Sequence, residues 1–490
     1  MTKEINDIAY IKFHRGSQQI GGCCTELCCG EEKVLIDLGA NLPGTDDESP
    51  ISDEQLIRTV FDGRSKYGAI LFTHYHGDHY GLYKEIPRNI PVYSDIPMYM
   101  GKTAKEILSV VTDYIDINAG KKGGELIKAI KTYDPGRELR INGINDIKIM
   151  PLAVDHSALD AYMFYIEMAG KKILYTGDFR DHGIASEHDR FWSMIESRKY
   201  VPADIDILIT EGTMLSREKE TKGNIVRTEA ELGEEAADLF KQQPYNFVIV
   251  SSTNLDSIIE IYYNTPDDLP FVCDLYQYKV ICKAMQGKKD WLKMYRPRKL
   301  KDGDTKPIYV LMDRFRKDLE KTFMENKEND LFLPVVPVSS KNGFDPIKDG
   351  FVMLIRPNHY PENGKSVFEK ALDHFSSIDE KKVKIMYSMW AEYLEGEHED
   401  RDITRLIGQH EKHLLHVSGH AYPDTILKLI EKTDPKIIVP MHTQMADQMK
   451  RMKLFSEYND RIIPMKDGDQ VLDLEKMGLR KLSPGQPFSD

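Results

Sequence analysis

Three histidines and one aspartate lie within residues 73–79, which have the sequence Thr-His-Tyr-His-Gly-Asp-His. Imidazole nitrogens and carboxylate oxygens are ligands that suit zinc and similar divalent cations. On a tight turn, His74 and His76 can reach one ion while Asp78 and His79 reach a second. Two metal ions close together activate water and stabilise the attacking and leaving oxygens of a phosphoryl transfer. The plain alternative is a chance histidine-rich loop on the surface.

The residues before this motif, 68–72, form an apolar run with the length of a buried strand. Further apolar runs along the chain also end in side chains that can bind metals or protons. These strand-end residues are Asp37, His156, Asp178, Glu211, His420 and His442. Asp37 could hold a ligand histidine in place, or it could be an ordinary turn residue. Each signal alone is weak, but their repetition predicts one site built at the ends of several strands.

A chain of 490 residues exceeds what one hydrophobic core usually holds, so two domains are expected. Strand and helix patterns alternate between residues 215 and 400, as in a parallel α/β domain. This segment separates two parts that carry the strand-end motifs. We therefore predict one domain formed by residues 1–214 and 401–490, with a second inserted between them. At a finer level, we expect a short strand over residues 91–93 and a helix over 98–115.

The composition, with 41% apolar and 30% charged residues, predicts a soluble globular protein. The longest apolar stretches have strand length, and the first residues lack an apolar signal core, so we expect a cytoplasmic protein without a membrane span. The net charge of −13 disfavours nucleic acid as a partner at long range. A pair of bound cations would reverse that effect at the site itself.

Four of the six cysteines are concentrated in one short segment, at Cys23, Cys24, Cys28 and Cys29. A chain this long with six cysteines is not a disulfide scaffold. The four thiols could bind a metal. A simpler interpretation is that they are small apolar residues of a pair of strands.

The most basic stretch of the chain covers residues 283–301. Its candidate substrate-binding residues are Lys288, Lys289, Trp291, Lys293 and Arg298. Cations that contact phosphates, interleaved with an aromatic ring that stacks on bases, would form a track for single-stranded nucleic acid. The alternative is a solvated helical face anchored by one tryptophan.

Taken together, the strand-end motifs resemble those of the metallo-β-lactamase superfamily and, within it, of the β-CASP nucleases, with ribonuclease J as the nearest likeness. The resemblance implies an α/β fold, an αββα sandwich with an inserted β-CASP α/β domain. It also implies hydrolysis of phosphodiester bonds, above all in single-stranded RNA. Because the chain stops soon after its last predicted strands, we expect it to lack the separate C-terminal domain of ribonuclease J. This leaves the oligomeric state open, a homo-oligomer included.

The resemblance also assigns roles to the matching residues. Two divalent ions are implied, zinc first and Mn²⁺ or Mg²⁺ as alternatives. One ion would be held by His74, His76 and His156, and the other by Asp78, His79 and His442, with Asp178 between them. The implied catalytic set is Asp37, Asp78, Glu211 and His420. His420 is not needed as a ligand and would be the general acid, Glu211 would orient it, and Ser418 would hold a phosphate oxygen.

Three other functions remain alternatives to RNA hydrolysis. The first is a nuclease of single-stranded DNA. The second is a small-molecule metallohydrolase, a phosphodiesterase or lactonase, which would use the same metal site but needs neither the insertion nor His420. The third is a catalytically silent scaffold subunit, which would be expected to have lost metal ligands, whereas every expected ligand is present in this chain.

Overall fold

The computed structural model describes residues 8–42, 50–119, 124–186, 190–217, 226–287, 292, 294–312, 316–329, 331–357, 365–396, 399–468 and 470–481. The chain forms two compact units. Unit 1 comprises Met1–Asp181, Ala185–Glu220 and Gly419–Asp490, and unit 2 comprises His182–Ile184 and Thr221–Ser418. The predicted domain limits at residues 214 and 400 stay a prediction.

Strands outnumber α-helices among the described residues. The strands are β1 Ala9–Arg15, β2 Cys24–Cys29, β3 Glu32–Ile36, β4 Ala69–Leu71, β5 Met98–Met100, β6 Lys131–Thr132, β7 Ile147–Val154, β8 Ala161–Met168, β9 Lys171–Tyr175, β10 Ile207–Glu211, β11 Tyr245–Val250, β12 Phe271–Asp274, β13 Ile308–Leu311, β14 Val335–Val338, β15 Phe351–Ile355, β16 Val383–Ser388, β17 Lys412–Leu414, β18 Ile437–Met441, β19 Gln470–Asp473 and β20 Gly478–Lys481. The α-helices are α1 Asp53–Val60, α2 Gly77–Tyr80, α3 Lys102–Ala119, α4 Gly124–Ala129, α5 Arg190–Glu196, α6 Glu229–Phe240, α7 Leu255–Asn264, α8 Leu275–Met285, α9 Arg316–Glu328, α10 Val367–Asp379, α11 Arg401–Ile407 and α12 Pro423–Thr433.

Unit 1 contains two sheets. The first has the strand order β20-β19-β1-β2-β3-β4-β5-β6, and the second has the order β18-β10-β9-β8-β7. Strands β3 and β4 are parallel, and so are β9, β10 and β18. Since parallel neighbours end at the same edge of a sheet, residues that follow these strands are brought together in space. This arrangement positions the candidate site.

Helices cover one face of the second sheet of unit 1. Ile426, Leu429 and Ile430 of α12 recur at the spacing of one helical face and are buried in the same apolar cluster as Phe191 and Trp192 of α5. Side chains of strands β7 to β10 and β18 complete that cluster. Burial of these side chains fixes the sheet whose strand ends carry His156, Asp178, Glu211 and His442.

Unit 2 is built on a seven-stranded sheet with the order β14-β13-β12-β15-β11-β16-β17. Every strand pair in this sheet is parallel, with helices in the connections. All six residues of β11, Tyr-Asn-Phe-Val-Ile-Val, are buried, as expected for a central strand covered on both faces. The alternating strand and helix patterns of the sequence correspond to this parallel topology.

The structure confirms the predicted α/β fold class, but two local predictions are wrong. Residues 91–93 form the 3₁₀ helix Pro91–Tyr93, because proline at the first position fixes a helical φ and offers no amide to a strand ladder. The expected helix over 98–115 begins only at Lys102, since its first apolar residues form β5, with Met98 paired to Ile70 of β4. Among the described helices, none has the length and apolar composition needed to cross a bilayer.

Candidate metal centre

The loops that follow six strand ends of unit 1 converge on one buried cluster of imidazoles and carboxylates. Asp37 follows β3, the 73–79 motif follows β4, His156 follows β7, and Asp178 follows β9. Glu211 is the last residue of β10 and pairs with Met441, the residue before His442. The site thus joins segments more than 400 residues apart in the sequence.

Asp37 fixes the orientation of His79 from behind the cluster. Its carboxylate accepts hydrogen bonds from the amide and hydroxyl of Thr73, at 2.8 and 2.9 Å. Its Oδ2 lies 2.8 Å from Nδ1 of His79, which therefore donates the hydrogen and presents Nε2 to the interior of the cluster. A φ of +62° at Asp37 directs this short side chain inward. This is the contact expected of a carboxylate that orients a ligand imidazole.

Asp178 occupies the centre of the cluster. Among the described residues, five imidazoles place a nitrogen between 3.2 and 3.9 Å from its Oδ2; they are His74, His79, His156, His420 and His442. The preceding Gly177 lies against Thr73, and an added Cβ would come within 2.9 Å of the Thr73 side chain. Glycine therefore allows the loop after β9 to approach the 73–79 motif. A single carboxylate so surrounded is suited to bridge two cations.

His74, His76 and His156 form one group, with ligand nitrogens all within 4.8 Å of one another. Nδ1 of His156 donates to the carbonyl of Gly419 at 2.5 Å, so its Nε2 faces Nδ1 of His76 at 3.2 Å. Gly419 has no room for a side chain, because an added Cβ would lie 2.4 Å from Oγ of Ser157. Two imidazole nitrogens that face each other in this way are suited to share a cation.

His442 approaches the cluster from the end of β18. Its amide donates to the carbonyl of Gly16 at 2.7 Å, and its Nδ1 lies 2.8 Å from Oγ1 of Thr213. The amide of Gly21 donates to Nε2 at 3.1 Å, which identifies Nε2 as the nitrogen with the lone pair. That same nitrogen lies 3.2 Å from Oδ2 of Asp78. His442 is therefore held in the tautomer that a metal ligand needs.

Glu211 is fully buried and orients His420. Its carboxylate accepts from the amides of Phe179, Thr213 and Ala421 at 3.1 to 3.3 Å. Nδ1 of His420 lies 3.3 Å from Oε1 of Glu211. Burial alone would lower the pKa of His420, but the carboxylates of Glu211 and Asp178 raise it above the usual value. Proximity to these carboxylates favours the protonated imidazole.

Burial keeps the three grouped imidazoles neutral. It lowers the pKa of His76 to about 4 and the pKa values of His74 and His156 well below the usual value, with neighbouring histidines adding to the effect. Neutral imidazole is the form that binds metals.

At the centre of the cluster, the charges of neighbouring residues outweigh burial in setting the pKa values. Burial would lower the pKa of His79, but Asp178 and Asp37 raise it well above the usual value. Burial would likewise raise the pKa of Asp178, but His442 and the other imidazoles around it hold it well below the ordinary range. Asp178 is therefore ionised, and the cluster contains a buried negative charge.

Two buried polar atoms show that the cluster fits a metal. Nε2 of His74 and Oδ1 of Asp178 have no hydrogen-bond partner among the described residues. Buried polar groups without partners are unfavourable, and a bound cation would satisfy both. A set of imidazoles and ionised carboxylates matches the donors preferred by zinc and related divalent ions. The residues present therefore fit the implied metal pair.

The predicted site residues have different locations. Every predicted ligand and catalytic residue lies in this cluster of unit 1. Ser418 belongs to unit 2, where its carbonyl accepts from His182 at 2.9 Å. Arg298 also belongs to unit 2 and forms a 2.5 Å ion pair with Asp267. The other predicted substrate-binding residues, Lys288, Lys289, Trp291 and Lys293, lie outside the described residues.

Sequence reasoning missed two residues that contact the cluster. Thr213, in Glu-Gly-Thr after β10, contacts the imidazole of His442. Cys23 forms a group with His79 and His442, the three ligand atoms lying within 4.8 Å of one another. The concentration of cysteines between residues 23 and 29 was a signal for the second contact, but it could not single out Cys23.

Comparison with known proteins gives relatives at low identity. No family model matches the chain. It is 29% identical over 214 residues to the RNase J-like protein of Methanocaldococcus jannaschii, an alignment covering 41% of this chain and 42% of the relative. It is 24% identical over 216 residues to cleavage and polyadenylation specificity factor subunit 3-II of Arabidopsis thaliana, covering 40% and 32%. It is 26% identical over 217 residues to endoribonuclease ysh1 of Schizosaccharomyces pombe, covering 42% and 26%.

The alignments therefore cover less than half the length of these curated relatives. Among solved structures, a crystal structure of a protein of unknown function from Enterococcus faecalis V583 matches with a TM-score of 0.62 and 17% identity. That match covers 95% of this chain and 100% of the other, and it shows a shared fold. The sequence relatives confirm the resemblance that the motifs predicted, a similarity to the β-CASP nucleases of the metallo-β-lactamase superfamily.

Proposed function

We propose that the protein is a metal-dependent hydrolase of phosphodiester bonds whose substrate is single-stranded RNA. The observation that carries the proposal is the Asp178 carboxylate, which is ringed by imidazole nitrogens at 3.2 to 3.9 Å and retains a buried oxygen without a partner among the described residues. This geometry is unfavourable for the protein alone and favourable for a pair of cations.

The names of the relatives support RNA as the substrate. One relative is an RNase J-like protein, one is an endoribonuclease, and one is a subunit of a cleavage and polyadenylation specificity factor. The net charge of −13 disfavours nucleic acid at long range, but a metal pair would make the cluster locally attractive to phosphate. A cytoplasmic location and a homo-oligomeric state stay predictions from the sequence.

The proposed ligand sets follow the two sides of the cluster. One ion would be held by His74, His76 and His156, the other by Asp78, His79 and His442, and Asp178 would contact both. We propose zinc at both positions. The chemistry supplied by such a pair is activation of water for attack at phosphorus and neutralisation of charge on the phosphoryl oxygens.

The remaining residues of the cluster position and transfer protons. Asp37 keeps the hydrogen of His79 on Nδ1, so Nε2 is available as a ligand atom. Glu211 fixes His420 through Nδ1, so Nε2 of His420 would deliver the proton to the departing alkoxide. The roles of Asp37 and Glu211 each depend on one hydrogen bond. Each role can therefore be tested separately from metal binding.

The basic segment of residues 283–301 would hold the RNA backbone. Arg298 already pairs with Asp267, so we expect a smaller contribution from it than from Lys288, Lys289 and Lys293. Replacing these cations with alanine should lower the slope of log affinity against log salt by ~0.7 for each lost phosphate contact. Trp291→Ala should weaken binding without changing the slope, because stacking releases no counterions. An unchanged slope in the multiple charge variant would refute this track.

The proposed function is tested by incubating the purified protein with labelled single-stranded RNA, single-stranded DNA, a generic phosphodiester and a lactone. Each substrate is used with zinc-loaded protein and with protein stripped by a chelator. We expect cleavage of RNA that is lost on stripping and restored by zinc. Preference for DNA would make the protein a DNA nuclease, and turnover of the small substrates alone would make it a small-molecule hydrolase. No turnover by fully metallated protein would indicate a silent scaffold.

A further inference from the structure

A buried thiol lies beside the histidines of the cluster. Sγ of Cys23, Nε2 or Nδ1 of His79 and a ring nitrogen of His442 lie within 4.8 Å of one another. Cys23 has only 1% of its surface exposed. Although cysteine is commonly buried as a small apolar residue, this thiol lies next to two imidazoles that belong to one proposed ligand set.

The backbone holds Cys23 against both metal-binding loops. Its amide donates to the carbonyl of Asp78 at 2.9 Å, and its carbonyl accepts from the amide of Gly39 at 2.9 Å. On the other side, Gly16 packs on the thiol so closely that an added Cβ would lie 3.1 Å from Sγ. The carbonyl of Gly16 also accepts from the amide of His442 at 2.7 Å. The position of Sγ is therefore fixed by the same contacts that fix Asp78 and His442.

His79 provides an independent sign that a cation belongs at this position. Its Nδ1 is held by Asp37 at 2.8 Å, while its Nε2 is buried and lies among the side-chain atoms that have no hydrogen-bond partner in the described part of the chain. The carboxylate of Asp178 is 3.2 Å from Nε2, close enough for attraction but not aligned as a hydrogen bond. A buried ring nitrogen without a hydrogen-bond partner is suited to bind an ion.

We infer that Cys23 is a thiolate ligand of the ion held by His79 and His442. The inference deepens the proposed function and rests on it, because it concerns the composition of one of the two proposed sites. The thiol would release its proton on binding, as cysteine ligands do. A soft thiolate favours zinc, whereas Mn²⁺ and Mg²⁺ prefer carboxylate, carbonyl and water. Cys23 would therefore make this position selective for zinc.

The direct test is X-ray absorption at the zinc edge, measured on the full chain with any affinity tag removed. We expect a sulfur shell at about 2.3 Å, beside nitrogen and oxygen neighbours at about 2.0–2.1 Å, with one sulfur for every two zinc ions. Cys23→Ser should remove the sulfur shell. Cobalt-loaded protein should show a thiolate charge-transfer band that the same variant loses.

Cys24→Ser is the matched control. Cys24 follows Cys23 directly and is also buried, but it belongs to no potential metal cluster among the described residues. This variant should keep the sulfur shell and the cobalt band. If Cys23→Ser fails to fold, the spectra of the wild type and of Cys24→Ser still decide whether the zinc has a sulfur ligand. Two bound zinc ions without sulfur would overturn the assignment of Cys23 and leave the proposed function intact, whereas a chain that binds no zinc would overturn both.

Discussion

Glu26 and Asp178, two of the carboxylates buried in unit 1, differ in how their oxygens are satisfied. Both oxygens of Glu26 on β2 have donors: the hydroxyls of Tyr10 and Tyr67 at 2.7 and 3.0 Å, His14 at 3.0 Å and Lys33 at 3.0 Å. Asp178 has imidazoles on one oxygen, while the other oxygen has no partner among the described residues.

This difference separates a structural charge from a functional one. A buried ion that is fully paired and hydrogen-bonded holds the fold together and needs nothing further. A buried carboxylate that lies among several imidazoles and keeps one oxygen without a partner is suited to bind a cation. We therefore expect function at a buried carboxylate that keeps an unpaired oxygen among imidazoles, and structural support at one whose oxygens are both paired.

The largest expected effect is at the Asp178 cluster. His76→Ala removes a ligand of one ion, and we expect loss of that ion together with loss of RNA hydrolysis. The stability of the metal-free protein should change little, because the cluster contributes to stability only when metal is bound. Metal analysis, cleavage assays and denaturation of stripped protein measure the three effects, with His413→Ala, in unit 2 and outside the cluster, as control. Full metal content with normal activity in His76→Ala would refute the ligand assignment.

A substitution at Glu26 should have the reverse effect of His76→Ala: it should lower stability and leave metal binding intact. Glu26→Gln leaves His14 and Lys33 without their anion, so the free energy of unfolding should fall by about 3–5 kcal/mol. Metal content and catalysis should be retained in the fraction that is folded. Denaturant unfolding measures the loss, and Glu31→Gln on the exposed turn nearby should change nothing. Loss of metal in Glu26→Gln would show that the two clusters are not separable.

The pH dependence of stability offers a further check on Glu26. Burial would raise its pKa, but His14 and Lys33 hold it below the usual value. The unfolded chain, with a carboxyl pKa of about 4.3, therefore binds this proton before the folded chain does. The stabilisation is complete above that pKa and is lost as the pH falls toward the folded pKa. The difference in unfolding free energy between wild type and Glu26→Gln should therefore shrink on acidification below about pH 4.3.

Within the functional cluster, His420 should separate proton transfer from metal binding. His420→Ala should keep both ions and slow turnover by roughly 100-fold or more, the usual contribution of a positioned general acid. His442→Ala, a second histidine of the same cluster, should lose metal at one position instead. Metal content and kcat measured on both variants decide the assignment. Loss of metal in His420→Ala would end its role as proton donor.

The smallest expected effect is at Thr213, which touches a ligand without binding the ion. Thr213→Val keeps the shape and removes the hydroxyl next to Nδ1 of His442. We expect zinc affinity at one position to fall by about 10–100-fold, with the total number of sites unchanged. Zinc titration against a competing chelator measures this change, and Thr433→Val in α12 is the matched control. Equal zinc affinities in Thr213→Val and Thr433→Val would contradict a role for the contact between Thr213 and His442.

Much of the site follows from local sequence patterns. An apolar run followed by His, Asp or Glu predicts a strand with a ligand at its end, and parallel pairing then brings such ends to one edge of each sheet. This is why Asp37, the 73–79 motif, Asp178, Glu211 and His442 could be predicted to belong together.

The rest depends on contacts that no local pattern encodes. Cys23 and Cys24 are neighbours in the sequence and both are buried, yet only Cys23 lies beside the cluster, because Gly16 and Asp78 hold it there. Likewise, residues 98–100 run directly into a helical pattern, and their pairing with β4, where Met98 lies opposite Ile70, makes them strand β5. Contacts between distant parts of the chain thus determine the positions that local sequence patterns do not.

The central claim is that the Asp178 cluster binds two ions and that both are needed for RNA hydrolysis. The most direct measurement is a zinc titration of chelator-stripped protein in which bound zinc per chain and the rate of RNA cleavage are recorded in the same samples. We predict that binding saturates at about two zinc ions per chain and that cleavage reaches its maximum at that point. RNA cleavage by the stripped protein, or two bound zinc ions without any cleavage, would contradict the account.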